Sequence, residues 1–480
     1  MPIKFFCPRG TAWLICAFVT ASATAQEGQV GSSIKASDYE QTIYVDSGGS
    51  DSNPGTGPRP MKTIRRAIEK ASRQYLSAGV ETRIFVRDGV YGYCGWFGAS
   101  DFDSRKKRET SLIIEGQSRD GVILDGRGKE QTLLRIAGKS NLMIHNLTIR
   151  NAKYGNNFIC ALTLAWGGQV DDTQNVRLEN ITVDGNASGG VQIHRIRYVT
   201  MRNCTVRNNG STGVIYLAKN GRFESLKVVD NNRDDRAEFE RGGMAFGGYD
   251  AIIKDCQFNN NRHGVGFRMD VASERVRLER VKCYNNDGYG FMFETAIGPT
   301  RLIDCVAADN RNAGINLSCV YDLEMKRCRF INNARTQISL VEMDRTIPDI
   351  PPMLMAADLG AVDEQDQKPM CWNRRTRLVD SFVKGKGSQT LIQCDGDTGY
   401  GWQTQYDRSN GETSTYKARN APRRTEKWVQ DEYVGRNNRF WHSGDKTRVF
   451  ETDHDDIFSN FANWKSITNS DRNSRWQKFR

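Results

Sequence analysis

Between Gly242 and Asn333, apolar and polar positions recur in a fixed order. Four lines show it: GMAFGGYDAIIKDCQFNNN from Gly243, GVGFRMDVASERVRLERVKCYNN from Gly264, GYGFMFETAIGPTRLIDCVAADN from Gly288 and GINLSCVYDLEMKRCRFINN from Gly314. Gly266, Gly290 and Gly314 fall 24 residues apart. A period in this range marks a solenoid, whose single unit cannot bury its own apolar face and needs its neighbours. The unit is made of strands. Met244/Phe246, Phe267/Met269, Phe291/Phe293 and Ile315/Leu317 stand two apart, so each pair points to one side of a strand. No long run at helical spacing interrupts them. The closing pairs Asn208/Asn209, Asn260/Asn261, Asn285/Asn286 and Asn332/Asn333 suit tight turns, because Asn tolerates the left-handed conformation. Stacked at ~4.8 Å per coil they would form a ladder. The pattern predicts a single-stranded parallel β-helix, all-β, with an N-terminal capping helix and an irregular C-terminal cap.

The rest of the chain fits this plan. Residues 26–41 are a polar lead-in, and Ile43 to Val45 a short strand. Thr63 to Ser77 has Ile64, Ala67, Ile68 and Ala71 at helical spacing, with Thr63 as N-cap. Cys94 to Arg108 is an aromatic and basic excursion, expected as a loop over a groove. Coils run on to about residue 394, interrupted by a Pro- and Asp-bearing loop from Thr346 to Met370. Residues 395–480 form an irregular extension and cap.

Three stretches carry a family resemblance. GVGFRMD followed by GYGFMFE is similar to a G-I-W-F-D … G-I-F-Y-E pair. YVDSGGSDSNPGT, then P-x-x-TI-x-x-AI and VRDGVY, is similar to the start of many β-helix sugar enzymes. The ending FSNFANWKSITNSDRNS resembles a W-x-x-x-T-x-x-D-x-x-S terminus. The chain thus resembles the right-handed β-helix carbohydrate-active proteins, the pectate-lyase-like superfamily, over roughly Ile43 to Val383. The resemblance implies a glycan substrate and is much less specific for the reaction.

Composition and charge narrow the setting. Residues 1–25 read as a secretory signal peptide: Lys4 and Arg9, an apolar run, then Ala23-Thr24-Ala25 as cleavage site. This places the protein outside the cytoplasm, secreted or periplasmic. No later apolar run approaches the ~18 residues that span a bilayer. The net charge of +11 is then matched to an acidic polysaccharide rather than to nucleic acid or membrane, and a monomer is expected. Cys204, Cys256, Cys305 and Cys328 share one register with Val281, so that slot is a core slot for small apolar groups, not a disulfide framework.

Candidate chemistry follows from the register. Aligned on Phe267/Met269, one outward column reads His194, Leu217, Gly247, Asp270, Glu294, Ser318, and a second reads Gln192, Ile215, Ala245, Arg268, Met292, Asn316. Asp270 and Glu294 would then lie ~5 Å apart between Cα atoms. Two carboxylates astride one glycosidic bond supply a proton donor and a nucleophile or base. Arg268 is placed to bind a substrate carboxylate or sulfate, and Gly247 and Gly248 to leave room for a sugar. His263, His194, Trp166 and Tyr249 are further substrate-binding candidates, with turn geometry the main expectation for His263; His145 is read as structural.

The leading expectation is a secreted glycoside hydrolase acting on a uronate or sulfated glycan through Asp270 and Glu294, with no required cofactor. The first alternative is a polysaccharide lyase working by β-elimination, where Ca²⁺ would neutralise the substrate carboxylate. A permanently protonated Arg is a poor base for it. A mannuronan-epimerase reading would call for a DPHD-like line, which the sequence does not contain. The second alternative is a non-catalytic glycan-binding or surface β-helix.

Overall fold

The computed structural model describes residues 39–155, 159–165, 173–234, 242–294, 296, 298–318, 320–342, 375–396, 402–407, 412–417, 433–443, 450–452, 457–468, 470–471 and 473–476. Its strands wind into a parallel β-helix with three faces, here called sheets A, B and C. In one coil Val265–Glu279 runs along sheet A, bends, and continues in sheet B; Lys282–Tyr284 follows in sheet C. The next coil repeats this as Phe291–Glu294, Thr300–Ile303 and Val306–Ala308. Pairing is parallel and in register. Phe267 meets Phe291 and then Ile315 in sheet A, and Leu278 meets Leu302 and then Met325 in sheet B. The interior is a continuous apolar stack: Tyr216 lies 5.1 Å from Phe246, Phe246 5.9 Å from Phe267, and Phe267 6.2 Å from Phe293, between ring centroids.

The paired Asn residues divide the work of the corner before sheet A. The first of each pair (Asn208, Asn260, Asn285, Asn332) takes the left-handed turn, with φ of 54–56°. The second is buried and joins an internal ladder of Asn186, Asn209, Asn231, Asn261, Asn286, Asn310 and Asn333. Asn286 shows the bonding. Its Nδ2 donates to Asn310 Oδ1 (2.9 Å) and to the Phe258 carbonyl (3.0 Å), and its backbone N–H donates to the same Asn310 oxygen (3.0 Å). Its own Oδ1 accepts from Asn261 N–H and Nδ2. Gln337 continues the file, accepting from Asn333 Nδ2 at 2.9 Å and donating to Gln389 Oε1 at 3.4 Å.

The ladder also explains the 24-residue glycine signal. A Cβ at Gly266, Gly290 or Gly314 would lie 2.8, 2.8 and 2.6 Å from the Nδ2 of Asn286, Asn310 and Asn333. Only hydrogen fits there. Across the helix, the eight described cysteines are buried. Cys204, Cys256, Cys305 and Cys328 sit 3.1–3.6 Å from carbonyl oxygens of their own coil and the preceding one. Burial pushes the thiols of Cys204 and Cys256 up to about 12.

Both ends are closed. The N-terminal helix Ile64–Lys70 starts at Thr63, whose Oγ1 accepts from Arg66 N–H (3.2 Å), and buries Ile64, Ala67 and Ile68. At the other end, the four spaced positions of the terminal motif form one buried cluster. Trp464 stacks on Phe450 (4.9 Å) and donates from Nε1 to Asp471 (3.2 Å). Ser474 and Asn438 donate to the other Asp471 oxygen, while Thr468 donates to the Trp464 carbonyl.

The structure differs from the expectations in three places. The 94–108 excursion supplies a sheet A strand, Gly95–Phe97, and a short helix, Arg105–Glu109, because alternation around Trp96 is enough to pair with Leu134–Ala137. The coils continue past residue 394: Tyr433–Arg436 and Arg439–His442 stack on sheets B and C. Trp402–Asp407 and Glu412–Lys417 pair as an antiparallel hairpin. The loop expected at 346–370 and the leader expected at 1–25 lie outside the described residues.

Replacing Asn286 by Ala removes the acceptor of Asn261 N–H and Nδ2 and the side-chain donor to the Phe258 carbonyl in a buried file, and is expected to cost about 3 kcal/mol. Asn285→Gly, at the neighbouring left-handed turn, is expected to cost under about 1 kcal/mol. Urea unfolding of the two variants checks the contrast.

Candidate functional site on sheet A

The outer surface of sheet A carries the two columns in the expected register. His194 pairs with Leu217, Leu217 with Gly247, Gly247 with Asp270, and Glu294 with Ser318. Beside them run Gln192, Ile215, Ala245, Arg268, Met292 and Asn316. Strand alternation brings Arg268 and Asp270 to the same face, and the coil stacking brings Glu294 next to them.

Arg268 binds both acids. Its terminal nitrogen donates to Asp270 (2.8 Å) and to Glu294 (2.7 Å), and its Nε donates to the same Glu294 oxygen (3.2 Å). The Glu294 side chain is 2 % exposed, Asp270 24 % and Arg268 19 %. The two carboxylates therefore differ: one is sunk and doubly bonded, the other reaches solvent. Because they bind a single nitrogen through bonds of 2.7 and 2.8 Å, their bound oxygens are close enough to act across one glycosidic bond.

Several expectations need correction. Arg268, expected at the substrate, also engages the protein's own acids through its guanidinium. Gly248 makes no room for a sugar: a Cβ there would stand 2.1 Å from the Ala218 carbonyl, so the residue is glycine for close backbone approach at a bulge. The structure does not bring the remaining candidates to the acid pair. His194 heads the same column but is three strands from Asp270, ~14 Å along the stack. His263 is exposed at the far end of its strand, at φ 49°, in the turn where Asp287 accepts its backbone N–H (3.0 Å). Tyr249 lies past the bulge with Lys219 (5.1 Å) and Arg275 (5.5 Å) over its ring. Trp166 lies outside the described residues. His145 stands on sheet B, 3.7 Å from Glu115.

Burial, with Arg195 adding to it, lowers the His194 pKa to about 4, so the ring is neutral at pH 7. One residue on this face was missed. Trp96, 64 % exposed, tops the Arg268 column and carries the Arg135 guanidinium 4.5 Å over its ring. The alternating Gly95-Trp96-Phe97 was the available signal.

Residues 114–242 and 235–347 match the family described as right handed beta helix region. The chain is a right-handed parallel β-helix protein. It is 24 % identical over 335 residues to the uncharacterized protein YwoF of Bacillus subtilis (strain 168), covering 57 % of this chain and 66 % of that one, just short of two thirds of the relative's length. Among solved structures it is similar to two Azotobacter vinelandii mannuronan C-5 epimerase A-modules. The AlgE6 module superposes with a TM-score of 0.53 at 14 % identity, covering 87 % of this chain and 96 % of the module. The AlgE4 module gives 0.50 at 14 % identity, covering 73 % and 94 %. At these identities the likeness establishes the shared fold. Among the described residues no group of His, Cys, Asp and Glu is placed to hold a metal ion, and no helix is long and apolar enough to cross a membrane.

Two outcomes follow. Arg268→Met strands the buried Glu294 charge and is expected to cost about 3 kcal/mol, whereas adding Glu294→Gln recovers part of the loss; a double-mutant cycle by denaturation measures this. His194, with its folded pKa below the ordinary 6.5, is protonated more readily in the unfolded chain. Stability therefore falls as pH drops from about 6.5 towards 4. The Tm difference between pH 7 and pH 4.5 should shrink in His194→Gln.

Proposed function

We propose that this protein is a secreted enzyme acting on an acidic polysaccharide, with sheet A as the substrate face and Asp270 and Glu294 as the reacting carboxylates of a glycoside hydrolase. The observation that carries the reading is the sharing of one Arg268 nitrogen by the two acids. The naming of both structural neighbours as mannuronan C-5 epimerase modules supports a glycan as substrate. The reading of residues 1–25 as a secretory leader supports the location.

The roles follow from environment. Glu294, buried and held by two bonds from Arg268, suits an ionised nucleophile. Asp270 reaches solvent, where it can meet the leaving oxygen and exchange protons with water. In the first step Glu294 attacks the anomeric carbon while Asp270 passes its proton to the leaving oxygen. In the second, Asp270 takes a proton from water, whose oxygen displaces Glu294. The net change is addition of one water across the bond. The closeness of the carboxyl groups suits this retaining course, for which about 5–5.5 Å is usual, better than an inverting one at ~6.5–9.5 Å.

The test uses a panel of uronate and sulfated polysaccharides, following reducing ends and the absorbance of an unsaturated uronate together. New reducing ends without absorbance are expected, with kcat falling about 10³-fold in Asp270→Asn and in Glu294→Gln. Absorbance in step with cleavage would replace hydrolysis by β-elimination. Binding without turnover in the wild type would sink the enzymatic reading.

A further inference from the structure

The net charge of +11 is not spread evenly. On sheet B, arginines face acids: Arg202 with Glu179, Arg222 with Glu224, Arg277 with Glu279 and Arg301 with Glu324. At the turns, Arg275, Arg280 and Arg327 pair with Asp250, Asp255 and Asp304. Sheet C is different. Its earlier strands still pair charge, Arg150 with Asp125 and Arg207 with Asp184, but from Lys227 onward its strands Lys227–Val229, Gln257–Asn259, Lys282–Tyr284, Val306–Ala308, Arg329–Ile331, Phe382–Gly385, Arg439–His442 and Arg475–Trp476 contain no Asp or Glu.

The pairing register sets the cations of these strands in line. One outward column runs Lys227, Gln257, Lys282, Val306, Arg329, Phe382, Arg439, Arg475. Lys227, Lys282, Arg329, Arg439 and Arg475 are exposed, and among the described residues none has an ion-pair partner. Over most of the file a cation recurs on every second strand, roughly 9.6 Å apart. Two ring faces lie in the same surface: Arg439 sits 5.6 Å over Phe382, and Lys384 4.6 Å over Trp441.

We propose that sheet C is a second, non-catalytic binding face for a linear acidic polysaccharide, running along the helix axis. The cations are single file, flat and evenly spaced, which matches an extended chain with repeated negative charge. The choice of glycan over other polyanions rests on the function proposed for sheet A; the cation file does not. A chain held on sheet C would raise the local concentration of polymer near sheet A, an avidity effect that a short oligosaccharide cannot exploit.

The test measures binding of polygalacturonate and of alginate to the full chain carrying Asp270→Asn, with neutral dextran, double-stranded DNA and anionic phospholipid vesicles as comparison probes. The variant Lys282→Glu/Arg329→Glu/Arg439→Glu is set against Lys62→Glu/Arg73→Glu/Lys129→Glu, which makes the same charge change at exposed positions elsewhere. Circular dichroism checks that both fold. The expected result is at least tenfold weaker acidic-glycan binding in the sheet C variant, less than threefold in the other, and a salt-dependent wild-type affinity. Equal losses in the two variants, no glycan binding by wild type, or tighter binding of DNA or vesicles than of either glycan would each overturn the proposal. Because binding is read with Asp270 already replaced, failure here is distinct from failure of the sheet A reaction. If sheet A turns over polymer, the sheet C variant on the wild-type background should raise KM for the polymer and leave short-oligosaccharide kinetics unchanged.

Discussion

The asparagine ladder is the constraint on which the molecule depends. Each rung bonds to the next through both backbone N–H and side-chain amide, as Asn261, Asn286 and Asn310 do. Such a rung fixes where a coil begins relative to its neighbours. In a parallel sheet a slip of one residue sends every side chain to the opposite face. The apolar interior alone would resist that slip, but the interior is tolerant: Phe, Met, Ile and Leu alternate in it freely. A buried amide with four bonding capacities is not tolerant, because each lost bond leaves a desolvated polar group. The meeting of Arg268, Asp270 and Glu294 is thus set at a corner some distance away along the strand.

Much of the architecture could be read from residues 242–333, because a solenoid writes its geometry repeatedly and each coil confirms the last. The Gly266, Gly290, Gly314 spacing and the Asn pairs were visible, and so was the register that aligns Asp270 with Glu294. The division within each Asn pair was only half legible: one residue for the turn and one for the ladder requires knowing which side chain turns inward. The hold of Arg268 on both acids was illegible for a similar reason. Register tells which Cα atoms are neighbours, whereas the end of a long side chain can reach the next coil, and Arg268 spans to Glu294. Trp96 and the coils beyond residue 394 were missed where the period weakens: single short strands such as Gly95–Phe97 carry little alternation to detect.

The three faces treat charge in three ways. Sheet A concentrates it in one partly buried triad. Sheet B offsets much of it in ion pairs along and across its strands, each worth little at the surface. Sheet C, from Lys227 onward, leaves it uncancelled. A repeated coil makes such segregation simple, since a change at one sequence position of the unit propagates as a stripe along the whole solenoid.

The buried Trp464–Asp471 cluster has a consequence for assembly. A stack of parallel coils has no inherent length; its last rung presents the same unpaired edge that every earlier rung offered to its successor. Trp464 covers that core, and Asp471 engages Tyr433, Asn438 and Ser474 as a further rung would have done. The cluster therefore acts as a stop signal written in side chains: it sets the number of coils and makes the protein a finite rod instead of the seed of a fibre.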